Sequence, residues 1–209
     1  MKKKTSFLLV CGMTLLILVA CSEEKTPMDT DRDAYLAQVD EWRAMKNEKF
    51  RTSEKSPLLE KDKENFAGLP YFPVNPALRL KVTLKKLETP EPMDMLTSDG
   101  SPRKVLRYGY FTFIVDNKVQ RLYAYKFINS SNDSLLFIPF RDSTSGEESY
   151  AGGRYLDVQE QADSNVYTLD FNMAYNPSCA YGRPEYICPV PPAENTLEVA
   201  IRAGEKKWH

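Results

Sequence analysis

The second half of the chain holds the residues best suited to chemistry. Asp142, Glu147, Asp170 and Glu194 supply four carboxylates, and Arg154 a guanidinium, among Tyr150, Asn172, Tyr175, Asn176 and Asn195. Two carboxylates can cleave a glycosidic bond when their environments separate their pKa values and hold them about 5–9.5 Å apart. An arginine among tyrosines and amides suits carboxylate or phosphate oxygens, because its planar fork binds them bidentately. These ten residues are the expected ligand site, with Arg154 and Asp170 at its centre. The structural alternative makes Arg154 and Asp170 an ion pair that closes a loop on the sheet.

Other chemistries find less material. The only histidine is His209, so a Ser-His-Asp triad or a multi-histidine metal site has nothing to build on. A cysteine nucleophile would lack a histidine base for the same reason. Asp142, Thr144 and Glu147 alternate as oxygen ligands would, but a calcium loop calls for more carboxylates and a distal bidentate Glu. A turn in which Asp, Ser and Thr side chains bind their own backbone fits Arg141 to Ser149 better. Gly152-Gly153 is followed by no Lys-Ser/Thr pair, so it makes no phosphate loop. No metal and no cofactor are expected.

Composition narrows the classes further. The chain has 209 residues, with 28 Lys+Arg against 29 Asp+Glu, and is 42% hydrophobic and 27% charged. Those values describe a folded chain of about one domain, and exclude a disordered, collagen-like or polytopic membrane protein. Near-neutral charge removes the basic face that nucleic-acid binding requires.

The N-terminus carries its own signal. Lys2, Lys3 and Lys4 precede the apolar run Phe7 to Val19, which is shorter than the ~20 residues of a bilayer span and fits an export signal. Leu18-Val19-Ala20-Cys21 resembles the lipobox of bacterial lipoproteins. That resemblance implies cleavage after Ala20 and acylation of Cys21, so residues 1–20 are a signal peptide and 21–30 a lipidated polar tether. Two or three acyl chains anchor stably, since each buried CH₂ contributes about 0.8 kcal/mol. Ser22 after the cysteine suggests the outer membrane, on its periplasmic or surface face.

Residues 31–209 are expected to form a single globular domain. Thr30 is placed to cap a helix that carries Tyr35, Leu36, Val39, Trp42, Met45 and Phe50 at helical spacing. Ser56-Pro57 suggests a second, short helix through Phe66, stopped at Gly68. From Leu78 the period becomes two, and strands are expected at Leu78–Leu84, Tyr108–Val115, Val119–Phe127, Leu135–Phe140, Arg154–Val158, Val166–Phe171 and Leu197–Ala203. Asp116-Asn117 should turn a hairpin. The expected fold is mainly β (α+β): an antiparallel β-sandwich or barrel-like sheet with one or two N-terminal helices. Met93 to Lys104 has no assignable pattern.

A family resemblance covers roughly Tyr35 to the end. Phe140-Arg141-Asp142, Gly153-Arg154-Tyr155, Asp170-Phe171-Asn172, Ala174-Tyr175-Asn176-Pro177, Cys179-Ala180-Tyr181, Cys188-Pro189, Glu194-Asn195 and Ala203-Gly204-Glu205-Lys206 resemble the signature of an uncharacterised bacterial family, domain of unknown function 1684. Gly68-Leu69-Pro70-Tyr71-Phe72-Pro73 resembles its upstream motif. The resemblance implies no reaction.

Two functions therefore stand side by side: a membrane-anchored binding or structural module for a small polar or glycan-like ligand, and a carboxylate-dependent hydrolase. Cys179 and Cys188 are expected to form a disulfide, since an exported chain meets an oxidising compartment. The Gly182- and Pro184-containing loop between them can fold back to disulfide distance.

Overall fold

A computed structural model describes residues 27–128 and 132–209. The expected signal peptide, the expected lipidation site Cys21 and most of the expected tether lie outside the described residues. The architecture is a helix followed by a six-stranded antiparallel sheet, curled until it nearly closes like a barrel. Helix α1 spans Pro27–Thr52 and α2 spans Glu60–Lys63. The strands are β1 (Arg79–Leu96), β2 (Pro102–Val115), β3 (Lys118–Phe127), β4 (Leu135–Phe140), β5 (Arg154–Gln159) and β6 (Val166–Asp170). Their order across the sheet is β5-β4-β3-β2-β1-β6.

The alternating pattern builds the inner face. Val82 and Leu84 of β1, Phe111 and Phe113 of β2, Leu122 of β3, Ile138 and Phe140 of β4 and Leu156 of β5 all enter one cluster. Successive strand residues point to opposite faces, so the intervening residues form a second layer. There Met95, Val105, Tyr125, Phe137 and Tyr155 make a smaller, aromatic-rich core. Asp116 and Asn117 both take positive φ, at 51° and 59°, which is the two-residue geometry that matches the twist of a hairpin. A register shift between Lys86 and Glu91 bends the long β1–β2 ribbon, facing another between Arg107 and Gly109. Met93 to Lys104 is the far end of that ribbon, closed by a turn in which Thr97, Ser101 and Asp99 bond one another.

Three expectations need correction. The first helix already runs at Pro27, so Thr30 lies inside it and does not cap it. Tyr35, Val39 and Phe50 are buried as its spacing implies, while Met45 is 59% exposed. The second helix is a single turn, because Ser56 and Leu58 are otherwise engaged. The Ser56 hydroxyl donates to the Phe50 carbonyl and accepts from Leu58 N–H, while Leu58 bridges to Gly182. Finally, Leu197–Ala203 bends at Glu198 and Val199 and belongs to no strand, although Leu197, Val199, Ile201 and Ala203 are all buried. Its first part bonds to the backbone just past β4, Leu197 N–H donating to the Arg141 carbonyl at 2.8 Å and Ser143 N–H to the Val199 carbonyl at 3.1 Å. From Ile201 on it bonds to side chains, as described next.

Candidate functional site

The expected site residues divide among separate positions. Arg154, at the start of β5, is wholly buried, and its Nη2 meets Asp142 Oδ2 at 3.2 Å. The same guanidinium donates to the carbonyls of Ile201 (2.8 Å), Glu205 (3.2 Å) and Ala203. Asp142 Oδ2 in turn accepts from Ile201 N–H at 2.6 Å, and Oδ1 from the Thr144 hydroxyl at 2.8 Å. Burial disfavours the Arg154 charge and pulls its pKa down, while Asp142 and Glu205 oppose that shift. This pair holds the C-terminal segment against the sheet, with no face open to a ligand. Arg154 is thus an ion-paired residue, as the structural alternative proposed, but with Asp142 in place of Asp170.

Asp170 serves another junction. Both its oxygens accept from the Tyr35 hydroxyl, at 3.0 and 2.9 Å, tying α1 to the end of β6. Burial, then the Asp170 charge and its hydrogen bond, raise the Tyr35 pKa and keep that hydroxyl a donor. Asn172 is buried beside them and accepts from Asn75 N–H at 2.7 Å. Asn195, also buried, bonds Tyr123 N–H and C=O and the Pro139 carbonyl, so it replaces rungs missing from the sheet between β3 and β4. Glu194 accepts from Tyr125 OH at 2.6 Å and pairs with Arg107 at 3.0 Å. Glu147 is exposed on the loop after β4. Asp142, Asp170 and Glu194 thus have different partners, and with Glu147 out on its loop the four carboxylates line no common cleft.

Asn176 lies by Glu205, a fully buried carboxylate whose motif was legible but whose role was not. Glu205 accepts from Asn176 N–H and Tyr181 OH, both at 2.7 Å, and the Lys46 ammonium from α1 stands 2.6 Å away. Burial, then the Glu205 charge, push the Tyr181 pKa well up.

Tyr175 alone leads to an open cavity, a cleft of about 310 Å³ on the outer face of β4 and β5. Its hydroxyl donates to Asp157 Oδ2 at 2.7 Å, and its backbone exchanges bonds with Tyr155 at 2.8 and 3.1 Å, bringing the chain after β6 across to β5. Arg103, Phe127, Tyr155, Asp157 and Tyr186 line the cleft beside it. Asp157 is exposed by area, yet that area opens onto the cleft, and the loss of water there raises its pKa against the Tyr175 hydrogen bond and the Lys46 charge. On the far side of Tyr175 a hollow of about 400 Å³ is lined by Trp42, Lys46 and Phe50 of α1. The Lys46 ammonium stands 4.7 Å from the Tyr175 ring centroid.

Arg103, Asp157 and Tyr186 were not singled out from the sequence. Arg103 fell in the unassigned Met93–Lys104 stretch. Asp157 had one available signal: on a strand with Leu156 and Val158 inward, it shares the opposite face with Tyr155. Tyr150, the remaining expected residue, places its hydroxyl 3.9 Å from Cys179 Sγ, and burial raises its pKa to about 12. Cys179 and Cys188 adjoin the cleft as free thiols, with Cys179 N–H donating to Cys188 Sγ at 3.2 Å. Among the described residues no group of three or more His, Cys, Asp or Glu side chains is placed to hold a metal ion.

Fold and site together define a curled antiparallel sheet protein with an aromatic cleft on its outer face. The chain belongs to the family described as Protein of unknown function (DUF1684), whose model matches residues 64–206. It is also similar to an uncharacterized protein of Haloarcula marismortui solved by NMR in solution. The two are 37% identical, the match covers 86% of this chain and 97% of that one, and the TM-score is 0.66. No curated protein matches.

Proposed function

We propose that this is a cell-envelope lipoprotein that binds a small polar or glycan-like ligand in the cleft beside Tyr175. The observation that carries the binding reading is the cleft itself: aromatic walls from Phe127, Tyr155, Tyr175 and Tyr186, with one cation at Arg103 and one carboxylate at Asp157. Mostly apolar walls with a few placed polar groups are what a small-ligand site requires. Sugar rings present apolar faces to aromatic side chains and hydroxyls to charged ones, so the lining fits that class. The binding reading is preferred to the hydrolase alternative because Asp142, Asp170 and Glu194 are engaged by separate partners and Glu147 is exposed on a loop.

Anchoring at Cys21 and placement at the outer membrane rest on the lipobox and on Ser22. The helix α1 begins six residues after Cys21, so the acyl chains would hold the domain close to the bilayer.

Thermal-shift measurements on the full-length chain with a panel of mono- and oligosaccharides test the binding. A stabilising sugar is expected whose effect disappears in Arg103→Ala. A panel that leaves the melting temperature unmoved overturns the proposal. Mass spectrometry of the mature N-terminus tests the anchor, and an unmodified Cys21 would refute it.

A further inference from the structure

We infer that Cys188 and Cys179 form a reactive dithiol that exchanges with a small disulfide entering the cleft, Cys188 attacking and Cys179 resolving. This does not depend on which ligand the cleft otherwise holds. The bridge expected from the sequence is, on this view, the oxidised state of the pair.

Geometry supplies the argument. Cys188 lines the cleft, and its Sγ accepts the Cys179 N–H at 3.2 Å, so a backbone donor is already aimed at the sulfur that must carry negative charge. Its own backbone is fixed to the turn between β1 and β2: the Ser98 hydroxyl accepts from Cys188 N–H at 3.1 Å, and Ser98 N–H donates to the Cys188 carbonyl at 2.8 Å. Arg103 contributes positive charge on the same wall. The hydrogen bond from the Cys179 thiol, then the Cys179 N–H, Arg103 and the Ser178 backbone, overcome burial and lower the Cys188 pKa to about 7. Near neutral pH a thiol with that pKa combines a substantial thiolate fraction with good nucleophilicity. The Cys179 thiol is held protonated chiefly by its hydrogen bond to Cys188, then by burial and the Cys188 charge.

The chemistry closes on itself. The Cys188 thiolate attacks one sulfur of R–S–S–R, forming a mixed disulfide and expelling RS⁻. That step removes both the charge and the acceptor that kept Cys179 protonated. Cys179 then gives its proton to the departed thiolate and attacks Cys188 Sγ, releasing the second RS⁻. One disulfide is reduced, two thiols are oxidised, and a dithiol reductant reverses the sequence. Arg103 fits a disulfide that carries carboxylates.

Full-length protein, reduced with dithiothreitol and then freed of it, is treated with glutathione disulfide and followed by mass spectrometry of the peptides that carry Cys179 and Cys188, apart from those of Cys11 and Cys21. Wild type should form the internal bridge and release two glutathiones; Cys179→Ser should stop at a mixed disulfide on Cys188, and Cys188→Ser should form neither. The serine variant keeps the backbone N–H that faces Cys188. In wild type, alkylation at pH 7 should be roughly tenfold faster at Cys188 than at Cys179. Equal alkylation of both thiols with a midpoint above pH 8.5, or no mixed disulfide in a folded Cys179→Ser, overturns the inference. So does a native bridge that dithiothreitol opens only after unfolding. Should Cys179→Ser fail to fold, the wild-type alkylation profile decides alone.

Discussion

Arg154 and Asp142 meet at 3.2 Å with neither side chain exposed, and the contact organises a segment that looks like a strand but is not one. The guanidinium takes the carbonyls of Ile201, Ala203 and Glu205, and the carboxylate takes the Ile201 N–H. Alternate backbone groups of the C-terminal segment are thereby satisfied without a sheet partner, as burial demands. Removing one member of a buried ion pair leaves the other uncompensated, at a cost of about 3–5 kcal/mol. Arg154→Met should therefore lower the unfolding free energy by that order in urea titration, and Arg154→Lys should recover little of it, since one ammonium cannot span the three carbonyls. A loss within about 0.5 kcal/mol of zero, the usual range for a neutral surface change, would refute this role.

This segment also shows what could and could not be seen in the sequence. The alternation at Leu197, Val199, Ile201 and Ala203 reports which side faces the core, and the structure buries all four. It does not report what the backbone bonds to: Leu197 and Val199 bond to the Arg141 and Ser143 backbone, and from Ile201 on the Arg154 side chain takes the place of a strand. At Tyr108–Val115 and Val119–Phe127 the same signal and the ladder coincide, and over Leu78–Leu84 they do so from Arg79 on, Leu78 closing a short 3-10 turn. Asp170 and Arg154, adjacent in expectation, are placed apart because pairing is decided by register: Asp170 lies opposite Arg79 on β1, and Arg154 opposite Phe140 on β4. The cleft was harder to foresee, since its walls come from β2, β3, β4, β5 and two loops that only folding assembles.

Gly204 is a position where backbone shape leaves no choice. Its φ is +74°, and a Cβ there would fall 2.5 Å from the Ala174 carbonyl oxygen and 2.7 Å from that of Phe171. Both obstacles are backbone, so neither can swing aside. Gly204→Ala should cost at least about 2 kcal/mol by the same urea titration, combining left-handed strain with the clash. An unchanged midpoint would show that the segment shifts freely, contrary to its bonds with Phe72 and Ala174.

Glu160, just past β5, gathers Lys126, Tyr108 and Lys86, with Lys86 at 3.0 Å. Desolvation opposes its charge, but the hydrogen bonds from Lys126, Tyr108 and Lys86 outweigh it and lower the pKa to about 2. A carboxyl with a depressed folded pKa contributes stability above its unfolded value, ~4.3, and loses it as pH falls toward the folded one. Wild-type stability should decline from about pH 4.5 to pH 2, and the decline should be shallower in Glu160→Gln. Parallel pH profiles for the two proteins would show that the cluster is too well hydrated to matter.

Asp157 is shifted in the opposite sense. Desolvation in the cleft raises its pKa, and the Tyr175 hydroxyl and Lys46 only partly oppose the shift. With a raised folded pKa, the native state holds more protons than the unfolded chain across the window that begins near the unfolded value, ~3.9. Stability contributed by this group is then present below that window and falls as pH rises through it, so at pH 7 the ionised carboxylate works against folding. Asp157→Asn keeps the shape and an acceptor for Tyr175 while removing the charge. The variant should melt higher than wild type at pH 7 and converge with it near pH 3. If the cleft binds a ligand as proposed, the same variant should lose the thermal shift that ligand produces, the trade of stability against activity common at functional sites. A variant that melts lower than wild type at pH 7 would mean that the charge stabilises the fold through Lys46 and Tyr175, and Asp157 would then be a structural residue.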